Sequence, residues 1–340
     1  MNAARERQSS LAKPPGSLGR LEELSIQLAG ISGKVCNQLN TKHLLIFCAD
    51  NGVVREGVAI TPQSVTLAQT INLHRGKTGA AALAKRFGCE LRIIDVGVNA
   101  VITEPGIIDK KVAFGTENIA EAPAMTRAQA VRAMLIGYDA AAESVKDGAD
   151  VIGVGEMGIG NTTTSAAVLA ALTGKPASKL TGRGAGLNDE AYQKKLKVID
   201  NAVALHRPDP DDITDVISKV GGFDIAAMTG AFIAAGALRI PAVIDGFISA
   251  AAALCAYRLC PNAREYMIPS HKSCEIGYDI AVRELALKPL FDLGMRLGEG
   301  SGCPIAMMML DAACSVMNDM ATFDQAGIDD GYLNDIRKGM

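Results

Sequence analysis

Short apolar runs, each followed by a longer stretch with helical spacing, recur along this chain, and that alternation limits the fold more than any other feature. The runs are His43–Cys48 (HLLIFC), Leu91–Val96 (LRIIDV), Val151–Val154 (VIGV) and Pro241–Ile244 (PAVI). Continuous apolar runs of this length match strands buried on both faces. Helical patterns fill the intervals at Val65–Leu73, Gly79–Phe87, Arg127–Asp147, Thr163–Leu172 and Asp189–Leu205, and further helices are expected around 276–296 and 304–323. Strand then helix in alternation predicts an α/β fold built on a parallel sheet flanked by helices.

The ends of the chain read differently. Residues 20–31 (RLEELSIQLAGI) place Leu21, Leu24, Leu28 and Ile31 at helical spacing, with Ser17 as the expected cap. Neither residues 1–35 nor the last 20 contain a strand run. The expected organisation is a small helical domain made from residues 1–35 and 321–340, around a large α/β domain at 36–320.

Charge and hydropathy exclude several classes. The net charge is -3 and no basic stripe is visible, so nucleic acid is not an expected partner. The most apolar stretch, Ile225–Leu238, is bounded by Asp224 and Arg239 and falls short of the roughly 20 residues a membrane span needs. It is expected to be a buried helix. The opening MNAARERQSS has no apolar signal core, so the expected location is cytoplasmic. The 8 cysteines form no CxxC pair, and the histidines form no HExxH. Reduced thiols and no metal site are expected.

Every strand run ends in a polar or glycine-rich segment that carries an acid: Asp50 in CADNGV, Asp95 in DVGVN, Glu156 in GVGEMGIGNTTT and Asp245 in DGF. Open parallel sheets bind ligands at the carboxyl ends of their strands, so these ends are where the site is expected. The third end is the richest. Gly155, Gly158 and Gly160 precede Asn161 and three threonines that open a helix. Small residues before a helix start let backbone N–H groups point at a phosphate or carboxylate, although a tight strand–helix turn has the same composition. Glu156 would be repelled by a phosphate, so it is expected to face a cationic or N–H-bearing part of a ligand.

Other segments carry weaker signals. Glu299 in RLGEGSG sits between glycines, which let a ligand approach a carboxylate that can act as a general base; a solvated turn residue reads the same way. Thr61 and Gln69 follow the first strand end and can line a pocket. PSHKS (269–273) places hydroxyls and a lysine before a helix, a composition that suits phosphate. His271 has no nucleophile elbow to serve as base. Lys195 lies in a helix after TGRGAGLND, but Lys194 and Lys197 are adjacent and spacing does not single it out.

KPPGSLGRLE (13–22), ADNGV (49–53), EGVAITPQ (56–63), GVGEMGIGNTT (153–163), GGFDIAAMTG (221–230), IDGFISAAAAL (244–254), PSHKS (269–273) and RLGEGSG (296–302) occur in that order. In this the chain resembles the nicotinate-nucleotide:dimethylbenzimidazole phosphoribosyltransferases of cobamide synthesis, from about residue 10 to 325. The resemblance implies a Rossmann-like sheet and a homodimer. It implies transfer of the phosphoribosyl group of nicotinate mononucleotide to an aromatic lower-ligand base, with inversion at C1' and no metal or redox cofactor. It assigns Glu299 as the base. It places Glu156, Gly158, Asn161, Lys195 and Ser273 at the nucleotide, and Thr61, Gln69, Met157 and Leu297 around the aromatic acceptor. Asp50, Asp224 and Asp245 are supporting acids. One branch of the family uses phenol or p-cresol and works as paired paralogous subunits. That branch, or a partner subunit of such a pair, is the alternative.

Overall fold

The computed structural model describes residues 1–182 and 186–333. Strands β1 (Lys42–Ala49), β2 (Cys89–Gly97), β3 (Ile108–Asp109), β4 (Val151–Met157), β5 (Ala242–Ile244) and β6 (Met267–Pro269) form one sheet among the described residues. Its order is β3-β2-β1-β4-β5-β6, and every pairing is parallel. This is the doubly wound Rossmann order. Its switch point, where consecutive crossovers leave in opposite directions, falls between β1 and β4.

Alternation along β1 shows how the layers form. Leu45, Phe47 and Ala49 face one core, and Leu44, Ile46 and Cys48 face the other. The chain begins with helices α1 (Asn2–Ser10) and α2 (Arg20–Ser32), and α3 (Ser64–His74) and α4 (Gly79–Arg86) connect β1 to β2. Then come α5 (Arg127–Lys146), α6 (Asn161–Thr173), α7 (Asp189–His206), α8 (Ile213–Val220) and α9 (Phe223–Leu238). The chain continues through α10 (Phe247–Leu259), α11 (Ile276–Glu284), α12 (Gly302–Asp319) and the short α13 (Phe323–Ala326). Helices α5, α6, α8, α9 and α10 cover the first face, while α2, α4 and α12 cover the second.

The apolar stretch Ile225–Leu238 is the body of α9, buried against the sheet as its length requires. Among the described residues no helix is long and apolar enough to cross a membrane. Helices α5 and α9 approach until their backbones touch. A Cβ on Gly137 would lie 1.7 Å from the carbonyl oxygen of Ala227, and one on Gly230 would lie 1.8 Å from that of Met134. Glycine three residues from its neighbour's contact on each helix makes this crossing possible.

The two ends of the chain meet. Ala4, Ala29 and Met317 share a small cluster. Arg7 Nε donates to Met317 O at 3.3 Å, and Leu11 bridges to Thr322. Of the chain's last segment, residues 334–340 lie outside the described residues.

Several expectations need correction. Ser17 does not cap α2; Gly19 holds that position with φ 52, and the Glu22 carboxylate accepts from Gly16 N and Leu18 N instead. The helix expected over 276–296 ends at Glu284, where Ala286 turns to φ 51 and Pro289 follows. The third strand extends past Val154 to Met157, so Glu156 is on the strand rather than in the loop after it. Strands β3 and β6 were not read from the sequence: β3 is only two residues long, and β6 ends on Pro269, which reads as the start of a turn.

The α5–α9 contact makes a prediction. Gly137→Ala inserts a methyl group where no space exists, and overpacking of this kind costs about 1–3 kcal/mol. Urea denaturation should show a lower midpoint with an unchanged slope; an unchanged midpoint would mean that the helices can part freely.

Candidate active site

A cleft of about 640 Å³ opens at the carboxyl ends of β1, β4 and β5. Thr61, Gln69, Glu156, Met157, Gly158, Asn161, Lys195, Asp245, Ser273, Leu297 and Glu299 all line it. Eleven of the thirteen residues singled out from the sequence are thus brought to one place. Asp50 and Asp224 lie behind the wall. The Asp50 carboxylate accepts from Asn99 N at 2.8 Å and ties β1 to the end of β2. Asp95, the acid at the second strand end, pairs with Lys111 at 2.6 Å and is no part of the cleft.

Glu299 sits on the loop between α11 and α12 in a left-handed conformation (φ 61), between Gly298 (φ 81) and Gly300 (φ 77). A side chain with a Cβ is rarely found there, so something must hold it. Asp245 does so. Its Oδ2 accepts from Gly300 N at 3.0 Å and its Oδ1 from Gly302 N at 2.7 Å. One carboxylate at the tip of β5 therefore fixes the loop and caps α12. Gln69 Nε2, on α3, donates to Glu299 Oε1 at 2.9 Å, while Glu299 Oε2 is buried without a partner.

A second acidic group lies at the tip of β4. The Asn161 side-chain amide donates both to Glu156 Oε2 and, at 3.0 Å, to Asp224 Oδ2. One amide nitrogen therefore bridges two buried carboxyls. Burial, and then repulsion from Asp224, pushes Glu156 up to about 8. Burial raises Asp224 to about 6 and Asp245 to about 7, against the hydrogen bonds that each accepts. The crowding is tight, since a Cβ on Gly158 would lie 2.2 Å from Ala49 O and 3.2 Å from Asp224 Oδ2.

Lys195 supplies the opposite charge. It is 1% exposed, and its Nζ donates to Thr162 Oγ1 at 2.8 Å, at the start of α6. Burial lowers it to about 8, opposed by the nearby Glu275 carboxylate. Lys194 and Lys197 are less buried, so structure separates what spacing did not. The separating signal was present in the sequence. Lys195 shares its helix face with the buried Val198, Ile199 and Ala202. Of the preceding TGRGAGLND segment, residues 183–185 lie outside the described residues.

The PSHKS segment divides. Ser270, His271 and Ser273 are buried, whereas Lys272 points to solvent and cannot be the cation expected there. His271, set aside in the sequence, lines the cleft. Thr162, Phe247 and Ile248 also line it and were not singled out.

Fold and cleft define a class: a doubly wound α/β enzyme whose site pairs buried carboxyls with a buried ammonium at a glycine-rich helix start. Comparison with known proteins gives the family. A family model described as phosphoribosyltransferase matches residues 1–328, and the chain belongs to that family. It is 51% identical over 334 residues to the nicotinate-nucleotide–dimethylbenzimidazole phosphoribosyltransferase of Clostridium perfringens (strain 13 / Type A), covering 98% of this chain and 92% of that relative. The protein of the same name from Desulforudis audaxviator is 47% identical over 329 residues, covering 96% and 93%. The crystal structure of CobT from Thermus thermophilus superposes with a TM-score of 0.94 at 38% identity, covering 97% of this chain and 99% of that one.

The raised Glu156 carboxyl has a consequence for stability. A carboxyl that is protonated when folded and ionised when unfolded stabilises the fold most at low pH. That contribution is complete below the ordinary value of 4.5 and is lost as pH rises through about 8. Glu156→Gln cannot ionise. Its melting temperature relative to wild type should therefore rise between about pH 5 and about pH 8 and level off above that. A difference that is constant across this range would contradict the buried, protonated state.

Proposed function

We propose that this chain transfers the 5-phosphoribosyl group of nicotinate mononucleotide to dimethylbenzimidazole or a similar aromatic base. The products are an α-ribotide and nicotinate. The observation that carries the reading is one cleft in which a carboxylate with a free oxygen, Glu299, and a buried ammonium, Lys195, both face a substrate-sized space.

The chemistry needs little else. The bond from C1' to the pyridinium nitrogen breaks, and its electron pair neutralises the ring, so nicotinate leaves without protonation. A ring nitrogen of the incoming base forms the new bond on the opposite face, which inverts C1' from β to α. The acceptor ring must then lose one proton, and Glu299 Oε2 takes it. Lys195, Thr162 and the backbone at Gly158 and Asn161 hold the phosphate, with Ser273 beside them. Thr61, Gln69, Met157 and Leu297 enclose the aromatic acceptor. Glu156, held by Asn161, faces the ribose. Asp50, Asp224 and Asp245 act through the groups that they hold.

Homodimerisation, a cytoplasmic location, and a helical domain formed by residues 1–35 with 321–340 belong to the same reading. The bridge between Leu11 and Thr322 and the hydrogen bond from Ala12 N to Ala321 O support the last of these.

Three outcomes are expected. Purified protein given nicotinate mononucleotide and dimethylbenzimidazole should release nicotinate, and no release with any benzimidazole would overturn the reading. Glu299→Gln should lower kcat by about 10²–10⁴, while Lys195→Ala should act mainly on the KM for the nucleotide. Undiminished kcat in Glu299→Gln would remove it from the role of base.

A further inference from the structure

His271 is 1% exposed, yet it lines the cleft. Its two ring nitrogens have different surroundings. On the Nδ1 side the imidazole is packed against the start of α12, where a Cβ on Gly302 would lie 2.3 Å from Nδ1. Ser270 Oγ lies 3.1 Å from Nδ1 and 3.0 Å from the carbonyl oxygen of Asp245. A hydroxyl has one proton, and the carbonyl can only accept it. The Nδ1–Ser270 contact therefore requires that Nδ1 carries the proton. The Asp245 carboxylate oxygen 3.9 Å from Nδ1 favours the same tautomer.

Nε2 is then a lone-pair acceptor. Its side of the ring faces Gly246 and Ser273, both lining residues, and a Cβ on Gly246 would stand 3.7 Å from Nε2 and 3.9 Å from Ser273 Oγ. None of the hydrogen bonds among the described residues involves Nε2. Burial lowers the imidazole to about 4, against the nearby Asp292 carboxylate, so the ring is neutral at physiological pH. Tyr278 and Phe291 hold it with near-parallel rings at centroid distances of 6.5 and 6.1 Å. A neutral acceptor, locked in tautomer and orientation, suits a neutral donor and is poorly suited to phosphate, which offers only acceptors at neutral pH. Within a phosphorylated pentose the donors are the ring hydroxyls.

We propose that His271 Nε2 accepts a hydrogen bond from a pentose hydroxyl of the nucleotide in this cleft, which makes His271 a substrate-binding residue. The inference rests on the phosphoribosyl-transfer reading and adds a contact to it. Ser270 is the positioning residue that sets the tautomer, and Asp245 serves two tasks, holding both the Glu299 loop and the Ser270 hydroxyl.

The experiment measures nicotinate release from nicotinate mononucleotide and its 2'-deoxy and 3'-deoxy analogues, with dimethylbenzimidazole as acceptor. Wild type should lose about tenfold or more in kcat/KM on the analogue that lacks the contacted hydroxyl. His271→Asn places no acceptor at the Nε2 position. It should lose that discrimination while keeping wild-type discrimination against the other analogue. His271→Gln can place an amide oxygen near the Nε2 position and should keep most of the selectivity; should His271→Asn fold poorly, the wild type still decides, because equal kcat/KM on all three nucleotides overturns the contact. A merely structural histidine would lower all three rates together. If both variants discriminate among the three nucleotides by the wild-type factors, the inference is wrong and phosphoribosyl transfer stands. If wild type releases no nicotinate from any of them, the transfer reading falls and takes this contact with it.

Discussion

Two hydrogen bonds from one loop to one buried carboxylate determine where the free oxygen of the cleft stands. Asp245 follows the short strand β5 and accepts from Gly300 N and Gly302 N, on either side of Ser301. Left-handed backbone at a residue with a Cβ costs on the order of 1–2 kcal/mol, and Glu299 adopts it. A hydrogen bond contributes about 0.5–1.5 kcal/mol, and more when its acceptor is ionised, so two of them offset the strain. The loop is therefore held by the sheet, though it lies more than fifty residues along the chain from β5. The start of α12, the orientation of Glu299 and the environment of His271 all follow from that anchor.

Charge balance is the second constraint. Glu156, Asp224, Asp245 and Glu299 are all buried, and Lys195 is the buried cation of the cleft lining. Left alone, carboxyls in such numbers resist ionisation, which is why burial raises Glu156, Asp224 and Asp245. On the proposed reading each end of the substrate meets the opposite charge: its pyridinium nitrogen faces the acid side, and its phosphate faces Lys195.

Much of this was legible in the chain itself. The strands of the sheet's centre are apolar runs, and their carboxyl ends carry Glu156 and Asp245, so fold class and site location follow from pattern. What escaped has physical causes. Strand β3 is too short for any periodicity to register, and β6 ends on a proline that reads as a turn. Ser17 looked like a cap because capping is local, but α2 starts after Gly19, and Glu22 reaches back from inside the helix to hold the Gly16–Leu18 turn before it. Lys195 could be separated from its neighbours only by asking which lysine shares a face with Val198, Ile199 and Ala202. His271 was read as a general-base candidate and set aside, whereas its significance lies in the tautomer that Ser270 imposes, a contact that no spacing rule reveals.

The central claim concerns one oxygen atom. A crystal structure of this protein with nicotinate mononucleotide and dimethylbenzimidazole bound would test it most directly. The account predicts Glu299 Oε2 within about 2.6–3.2 Å of the ring nitrogen that bears the acceptor's proton, with the phosphate beside Lys195 and Thr162. An acceptor ring seated in the cleft with its nitrogens turned away from Glu299, and no bridging water between them, would contradict it.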